Sequence, residues 1–454
     1  MPDQQPDQVA PETAPNQFAL LRTRRFLPLF LVQFLGAFND QVYQKAFVAL
    51  VTYRLADQVG ISLPLLGVIA SALFILPFAI VTPTAGQIAD RVDKAKMMRW
   101  VKGWEIVVMG LAVIGYHTQN IVFLYFVLFL MGAQSAVFAP IKYSVLPQYL
   151  KRSELVGGNG LVQGSTFLAI IFGTILGNEL ILTEYGVTVV SAVVVSIAVI
   201  GFVASLYTPP AGPVAAHGPV DWIFPRAIWK LIAMCRGVPE AFRTIMMIAW
   251  FWFLGATFLS LLPAYAKEAL GVDEGVLTVL LAGFSIGVAI GALLTEALSR
   301  GEVGLALPPV GALGLAVMAV ELYLATPAPP MEGAALIDRA TFFSDFAGWR
   351  ILGDFVLLAA FAGMYVTPLN AVLQAASPDD RRAQFIACSN VVDASFMVLS
   401  AAAVAAFLAL GLNVTDVLAL VTLSGLPMAF VVARHAPETR LGRIALMLWP
   451  RGPG

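Results

Sequence analysis

An aspartate stands near the middle of the first long apolar run of this chain. The run begins near Phe26, continues past Ala49, and reads Gly36-Ala37-Phe38-Asn39-Asp40-Gln41-Val42-Tyr43-Gln44-Lys45 at its centre. A run of that length can span a bilayer. A charged side chain at the centre of a span costs about 2.5–3.5 kcal/mol on insertion scales. Such residues face a cavity or a partner and mark a transport path. Further polar residues interrupt other apolar runs: Gln134 and Lys142, Asn159 and Gln163, Asn370 and Gln374, Asn390 and Asp393. Carboxylates can meet a cation, and a lysine or amides can meet an anion.

The elements that position them are apolar helices. Of the 454 residues 59% are hydrophobic and only 12% charged, with mean hydropathy +0.83. Soluble domains carry about 25% charged residues, so most of this chain meets lipid or other apolar helices. Twelve spans can be read. Phe26–Leu55, Leu63–Gln87, Met97–Tyr116, Val122–Pro147, Leu155–Leu182 and Gly186–Tyr207 form the first half. Thr244–Ala269, Val276–Leu298, Val303–Ala325, Leu352–Ala376, Ala383–Leu412 and Thr415–Ala433 form the second. Residues 1–21 are a Pro-, Gln- and Asp-rich tail expected to be disordered, without the features of a signal peptide. Two six-helix bundles follow, 22–207 and 244–434. They are joined by a proline-rich linker, 208–243, in which Trp222–Arg236 is expected as an amphipathic surface helix. Residues 435–454 form a second tail, whose Glu438–Gly454 stretch is amphipathic in pattern.

The positive charges set the orientation. Of the 27 Lys and Arg residues, twenty-one, Lys102 among them, fall on the side of both tails and the linker. Four fall opposite (Arg54, Lys267, Arg339 and Arg350), and Lys45 and Lys142 lie within spans. Both termini are therefore expected in the cytoplasm. The halves also echo each other: Ala139-Pro140-Ile141-Lys142 recurs as Thr367-Pro368-Leu369-Asn370, and Gly160–Ser165 as Asn390–Ser395. A repeat of six spans is the pattern of a transporter with its site between the halves.

Between spans two and three stands Gly86-Gln87-Ile88-Ala89-Asp90-Arg91-Val92-Asp93-Lys94. It resembles the loop signature of the major facilitator superfamily, matched at Gly86, Asp90, Arg91 and Lys94. Gly86 permits close helix approach. Asp90 can cap a helix end and pair with a basic residue, holding an inner gate shut. The equivalent loop of the second half, Gly291–Arg300, is degenerate and keeps only Glu296 and Arg300.

A narrower resemblance rests on four segments: Gln33–Asp40, Ala139–Tyr143, Gly158–Thr166 and Val366–Gln374. Together they are similar to the bacterial lysophospholipid transporter family within that superfamily, from about Phe26 to Ala433. The resemblance implies an all-α integral membrane protein with twelve transmembrane helices in two six-helix bundles (the major facilitator fold). It implies movement of lysophospholipid, notably lysophosphatidylethanolamine, from the outer to the inner leaflet of the inner membrane by alternating access, followed by reacylation. An acyltransferase or acyl-carrier-protein ligase, in the same chain or a separate one, is the implied partner. No cofactor, metal or nucleic acid is expected, and the chain is expected to act as a monomer.

Helical spacing fits that substrate. Gln33, Asp40, Gln44 and Phe47 share one stripe of the first span, and Gln134, Phe138 and Lys142 one stripe of the fourth. A zwitterionic head with a single acyl chain needs polar stripes in an apolar wall. Asp40, with Asn39 beside it, is the candidate headgroup or coupling carboxylate. Lys142 is the candidate phosphate contact or partner of Asp40. Gln134, Asn159, Gln163, Asn370, Gln374, Asn390 and Asp393 are candidate cavity residues. The bland alternatives are amides that bond helix to helix and a structural salt bridge from Asp40 to Lys45 or Lys142. One departure stands out: the resemblance implies a basic residue midway along the seventh span, and Phe253–Leu262 has none. Arg350 and Asp354, at i, i+4, read as a local ion pair. Trp250, Trp252 and Tyr265 read as packing and interface aromatics.

Enzyme chemistry lacks its inventory. No phosphate-binding glycine loop is present, and His117, His217 and His435 stand without a nucleophile or carboxylate at catalytic spacing. Cys235 and Cys388 give neither a metal site nor a disulfide framework. The rival functions are ion-coupled export of a small amphiphilic drug or metabolite, and a membrane module of a larger lipid-remodelling enzyme.

Overall fold

The structure is a computed structural model that describes residues 16–55, 63–214, 219–328, 335–436 and 439–448. Residues 1–15, His217 and Trp449 lie outside the described residues, with whatever was expected of them.

The elements run α1 (Leu27–Arg54), α2 (Leu63–Arg91), α3 (Lys94–Thr118), α4 (Ile121–Tyr149), α5 (Leu155–Ile181) and α6 (Gly186–Leu206). The linker carries α7 (Phe224–Arg236). The second half has α8 (Pro239–Ala264), α9 (Glu274–Ser299), α10 (Pro308–Ala325), α11 (Arg339–Phe342), α12 (Phe346–Ala376), α13 (Arg382–Ala409), α14 (Val414–Leu423), α15 (Gly425–Ala433) and α16 (Arg440–Leu448). In lipid every backbone group must be satisfied within its own segment, which is why the apolar runs fold as helices. Among the described residues nine helices are long and apolar enough to cross a membrane, counting α14 and α15 as one, and the bent α2 makes ten. The remaining two, α1 and α3, have 28 and 25 residues. Their apolar runs are interrupted by charges that packing conceals.

Local chemistry sets the ends and breaks. Asp93 caps α3 by accepting from the N–H groups of Ala95 and Lys96, and Asn120 caps α4 at Phe123 N–H. Pro77 and Pro83 lie within α2, whose two parts meet at 50°. A proline deletes one ladder bond and clashes with the preceding turn. Pro263 near the end of α8 precedes a π-turn over Tyr265–Ala269.

The same neighbours recur in each half. α1 packs on α5, α2 on α4 and α3 on α6; α8 packs on α13, α9 on α12 and α10 on α15. One buried apolar core lies in the first half and one in the second with the linker helix, and a third joins first-half residues to Ala371 and Ala383. Across the halves α5 meets α9 and α12, and α13 meets α2 and α4. Both described chain ends and α7 lie at one end of the molecule, called here the linker end. The linker helix buries Ala227, Leu231 and Cys235 and exposes Trp229. It is tied to α2 through Asp221. The Asp221 N–H donates to Gln87 Oε1 (2.9 Å), and its carboxylate receives Lys230 Nζ (2.7 Å) and Arg226 Nε (3.1 Å). The Lys230 ammonium holds the Asp221 carboxyl below the usual carboxylate range.

Candidate functional site

Three polar structures occupy the interface of the halves and the interior of the first bundle. The first seals the linker end. Asp90, fully buried, accepts from the backbone N–H groups of Ala383 (2.9 Å) and Gln384 (3.1 Å) at the start of α13. A Cβ on Gly86 would stand 2.6 Å from the Ala387 Cβ, so the close approach of α2 to α13 requires glycine there. Deeper in the seal, Asn159 of α5 and Gln374 of α12 exchange two amide hydrogen bonds, each of 2.9 Å. At the chain's start Gln17 Nε2 donates to Leu293 O (2.8 Å), and its N–H donates to Glu296 Oε2 (3.3 Å), bridging to the end of α9. Arg91 donates to Gln87 O within its own helix (3.0 Å), and Lys94 is buried at the start of α3.

The second is a cavity of ≈ 260 Å³ between the bundles. Its polar lining is Lys142, Tyr143, Gln163, Thr166 and Asn390; the rest is apolar, including Phe78, Phe251, Trp252, Leu259, Phe284 and Met397. Depth sorts these groups. Lys142 lies seven residues before the end of α4, and Gln163 and Asn390 lie eight residues after the starts of α5 and α13. At 1.5 Å per residue all three stand about 10–12 Å from the linker end. Ile170, Met397 and Leu259 stand farther along their helices. The cavity therefore has a polar floor and an apolar wall. Lys142 is its only cation among the described lining residues; it makes no ion pair, and its Nζ sits 4.9 Å from the centroid of the Tyr143 ring. The Tyr143 hydroxyl donates to Gln163 Oε1 (3.0 Å).

The third is a buried network inside the first bundle. Lys102 (0% exposed) and Glu105 (1%) of α3 form an ion pair of 2.6 Å. Asn39 Nδ2 donates to Glu105 Oε1 (3.0 Å), and Gln134 Nε2 donates to Glu105 Oε2 (3.1 Å). Ser135 Oγ, 3.1 Å from Gln134 Oε1, donates to Asp40 Oδ2 at 2.6 Å. Lys102 also lies 5.4 Å from the Phe138 ring centroid, and a Cβ on Gly36 would stand 2.5 Å from Lys102 Nζ. Glycine at position 36 leaves the room that this lysine occupies.

A twelve-span helical chain in two similarly packed halves, sealed by a Gly86–Asp90 motif, is one well-populated architecture. The family model described as Major Facilitator Superfamily matches residues 29–401. The chain belongs to the major facilitator superfamily. Within it, the chain is 28% identical to the Lysophospholipid transporter LplT of Serratia proteamaculans (strain 568), over 80% of this chain and 82% of that one. It is 25% identical to the protein of the same name from Photorhabdus laumondii subsp. laumondii, over 78% and 81%. Among solved structures it superimposes on E. coli FucP in the outward conformation (TM-score 0.66, 14% identity, 91% of this chain and 99% of that one). A bacterial homologue of the iron transporter ferroportin in an outward-facing state gives a TM-score of 0.62 at 15% identity, over 89% and 98%. These likenesses show the major facilitator fold.

Against that fold the polar residues singled out from the sequence separate into three groups. Lys142, Gln163 and Asn390 line the cavity, and Asp393 lies on the Asn390 helix. Asn159 and Gln374, expected as lining, instead satisfy each other in the seal. Asn39 and Gln134, expected as lining, serve Glu105 inside the first bundle. Asn370 donates to Val366 O in its own helix (3.1 Å) and is absent from the wall. Asp40 pairs with neither Lys45 nor Lys142 and is held by Ser135. Lys102, counted with the tail-side charges, belongs to the bundle interior, because Glu105 one turn away supplies its counter-ion. Arg350 pairs instead with Glu321 of the neighbouring α10 (2.6 Å), and the Asp354 Oδ2 is buried without a hydrogen-bond partner. Trp250 and Tyr265 pack as expected, bonding Ser424 and Thr326, whereas Trp252 faces the cavity. Glu105 was missed. Its i, i+3 spacing from Lys102 inside an apolar span was the available signal.

Proposed function

We propose that this major facilitator chain moves lysophospholipids, lysophosphatidylethanolamine foremost, from the outer to the inner leaflet of the bacterial inner membrane. The observation that carries the reading is the shape of the cavity: a polar floor with one unpaired lysine, and an apolar wall above it. A lysophospholipid has the same division. Its phosphate is met by Lys142 as a point charge, with Gln163 as a hydrogen-bond donor. Its single acyl chain lies along Phe251, Leu259 and Phe284. The names of the curated relatives support the same substrate class.

The linker end is the cytoplasmic end, with both termini inside, by the excess of positive charge there. Transport alternates the two bundles about the cavity. The seal is suited to breaking because its joints are hydrogen bonds across a narrow contact, which water replaces when they part. Asp90, Gly86, Arg91 and Lys94 act as its gate. Asp40, Asn39 and Gln134 act inside the first bundle, where they set the position of α4 and so of Lys142. The chain works as a monomer and delivers its product to an acyltransferase or acyl-carrier-protein ligase.

The test is leaflet-resolved uptake of labelled lysophosphatidylethanolamine into proteoliposomes holding the full chain. Uptake by wild type, weakened in Lys142→Ala, is the expected result. No uptake by wild type, or drug-stimulated proton flux in its place, removes the lipid reading.

A further inference from the structure

The second bundle buries a carboxylate that forms no ion pair among the described residues. Asp393 of α13 is 7% exposed. Its Oδ2 has one weak partner, Ser389 Oγ at 3.3 Å, and its Oδ1 has none. Among the described residues no Lys, Arg or His forms an ion pair with it. Asp40, by contrast, has a short serine bond and lies beside the Lys102–Glu105 pair. A buried charge without a partner is strongly unfavourable, and inside a membrane bundle such a residue marks a ligand path.

Its neighbours point to where a partner enters. Asp393 follows Asn390 by three residues and precedes Met397 by four, and both of these line the cavity. Asn390 lines the cavity, and its amide oxygen can accept from an ammonium. Across the interface, Tyr143 lines the same cavity and packs against the buried core of the second bundle, which includes Val392 next to Asp393. Lys142, next in sequence to Tyr143, stands on the opposite bundle. The cation of the floor thus stands on α4, and a carboxylate without an ion pair among the described residues lies on α13 between the lining residues Asn390 and Met397.

We propose that Asp393, with Asn390 and Tyr143 beside it, forms a subsite for the substrate's ammonium group, so that a zwitterionic headgroup bridges the bundles with its phosphate on Lys142. This rests on the lysophospholipid reading above and adds to it a polarity and a headgroup preference. A headgroup whose two charges hold opposite bundles also draws them together, which couples occupancy to the alternation of the halves. Headgroups without an ammonium, such as phosphoglycerol, keep the Lys142 contact and lose the other.

The experiment measures the Kd of the full chain in detergent for lysophosphatidylethanolamine and for lysophosphatidylglycerol, from tryptophan fluorescence, since Trp252 lines the cavity. Wild type, Asp393→Asn and Asn390→Ala are compared, each with its melting temperature. Asp393→Asn is expected to weaken the ethanolamine lipid about tenfold and the glycerol lipid less than twofold, with melting unchanged or raised, because it removes an unpaired buried charge. Asn390→Ala is expected to split the two lipids in the same sense, about threefold, and stands in if Asp393→Asn does not fold. Parallel weakening of both lipids, or no change in either, overturns the subsite while leaving the transport reading intact. If wild type binds neither lipid and takes up neither into proteoliposomes, the transport reading falls and the subsite falls with it.

Discussion

Asp90 of the first bundle caps a helix of the second: its Oδ1 accepts the Ala383 N–H at 2.9 Å while its Oδ2 accepts the Gln384 N–H at 3.1 Å. A carboxylate at a helix N-terminus meets unsatisfied N–H groups and the positive end of the helix dipole. Here the cap and the capped helix belong to different halves, so the bond exists only while the linker end is sealed.

Removing the cap should open that end. A lost N-cap weakens the sealed state by about 1–2 kcal/mol, a 5- to 30-fold change in the open fraction. Cys388, buried one turn beyond Gln384, reports it. In a Cys235→Ser background, Asp90→Ala should raise the rate of Cys388 alkylation by that factor. An unchanged rate would mean that the cap does not hold the seal.

Asn159 and Gln374 should behave as a coupled pair. Either alanine substitution alone leaves a buried amide unsatisfied, at about 1–3 kcal/mol. The double substitution removes both and should weaken the seal by less than the sum, with a coupling of about 1 kcal/mol in a double-mutant cycle. The same alkylation rate reads the cycle. Strict additivity would show that the reciprocal bonds carry no shared energy.

The Lys102–Glu105 pair should matter for stability before it matters for transport. Breaking a buried pair from one side costs about 3–5 kcal/mol. Lys102→Met should therefore lower the melting temperature strongly, and Lys102→Met with Glu105→Leu should restore part of it. Asn39 and Gln134 lose their acceptor in the double variant, so the recovery is incomplete. A double variant no more stable than the single one would show that Glu105 does not need Lys102.

Lys142 should give the opposite pattern. It has no ion pair, so Lys142→Ala should leave melting unchanged. In the uptake assay KM for lysophosphatidylethanolamine should rise about tenfold, the size of one charge-assisted bond at 1.4 kcal/mol per decade. Lys142→Arg should retain most of the affinity. A fall in melting temperature with no change in KM would reassign this lysine to packing.

Much of the architecture was legible because it follows from hydropathy alone. Lipid excludes unsatisfied backbone, so each long apolar run had to be a helix, and the Pro-rich linker divided them. The Gly86–Asp90 loop and the polar residues of five spans could be read the same way, since a polar group in lipid must answer to something. What each answered to was not legible. Asn159 and Gln374 are 215 residues apart, and no spacing rule pairs them. Lys142 and Gln134 share a helical stripe, yet one faces the cavity and the other Glu105, because α4 is flanked by α3 on one side and by the cavity on the other.

Sequence by itself therefore determined the helices, the family and the short list of polar residues that lipid would not tolerate without a reason. Only the tertiary structure decided which reason applied: Asp40 is satisfied within its own bundle, Asp90 by the opposite bundle, and Asp393 by one weak serine contact and no cation among the described residues. The difference is physical. Insertion cost is a property of a residue in a helix, while compensation is a property of the neighbours that packing brings within about 3 Å.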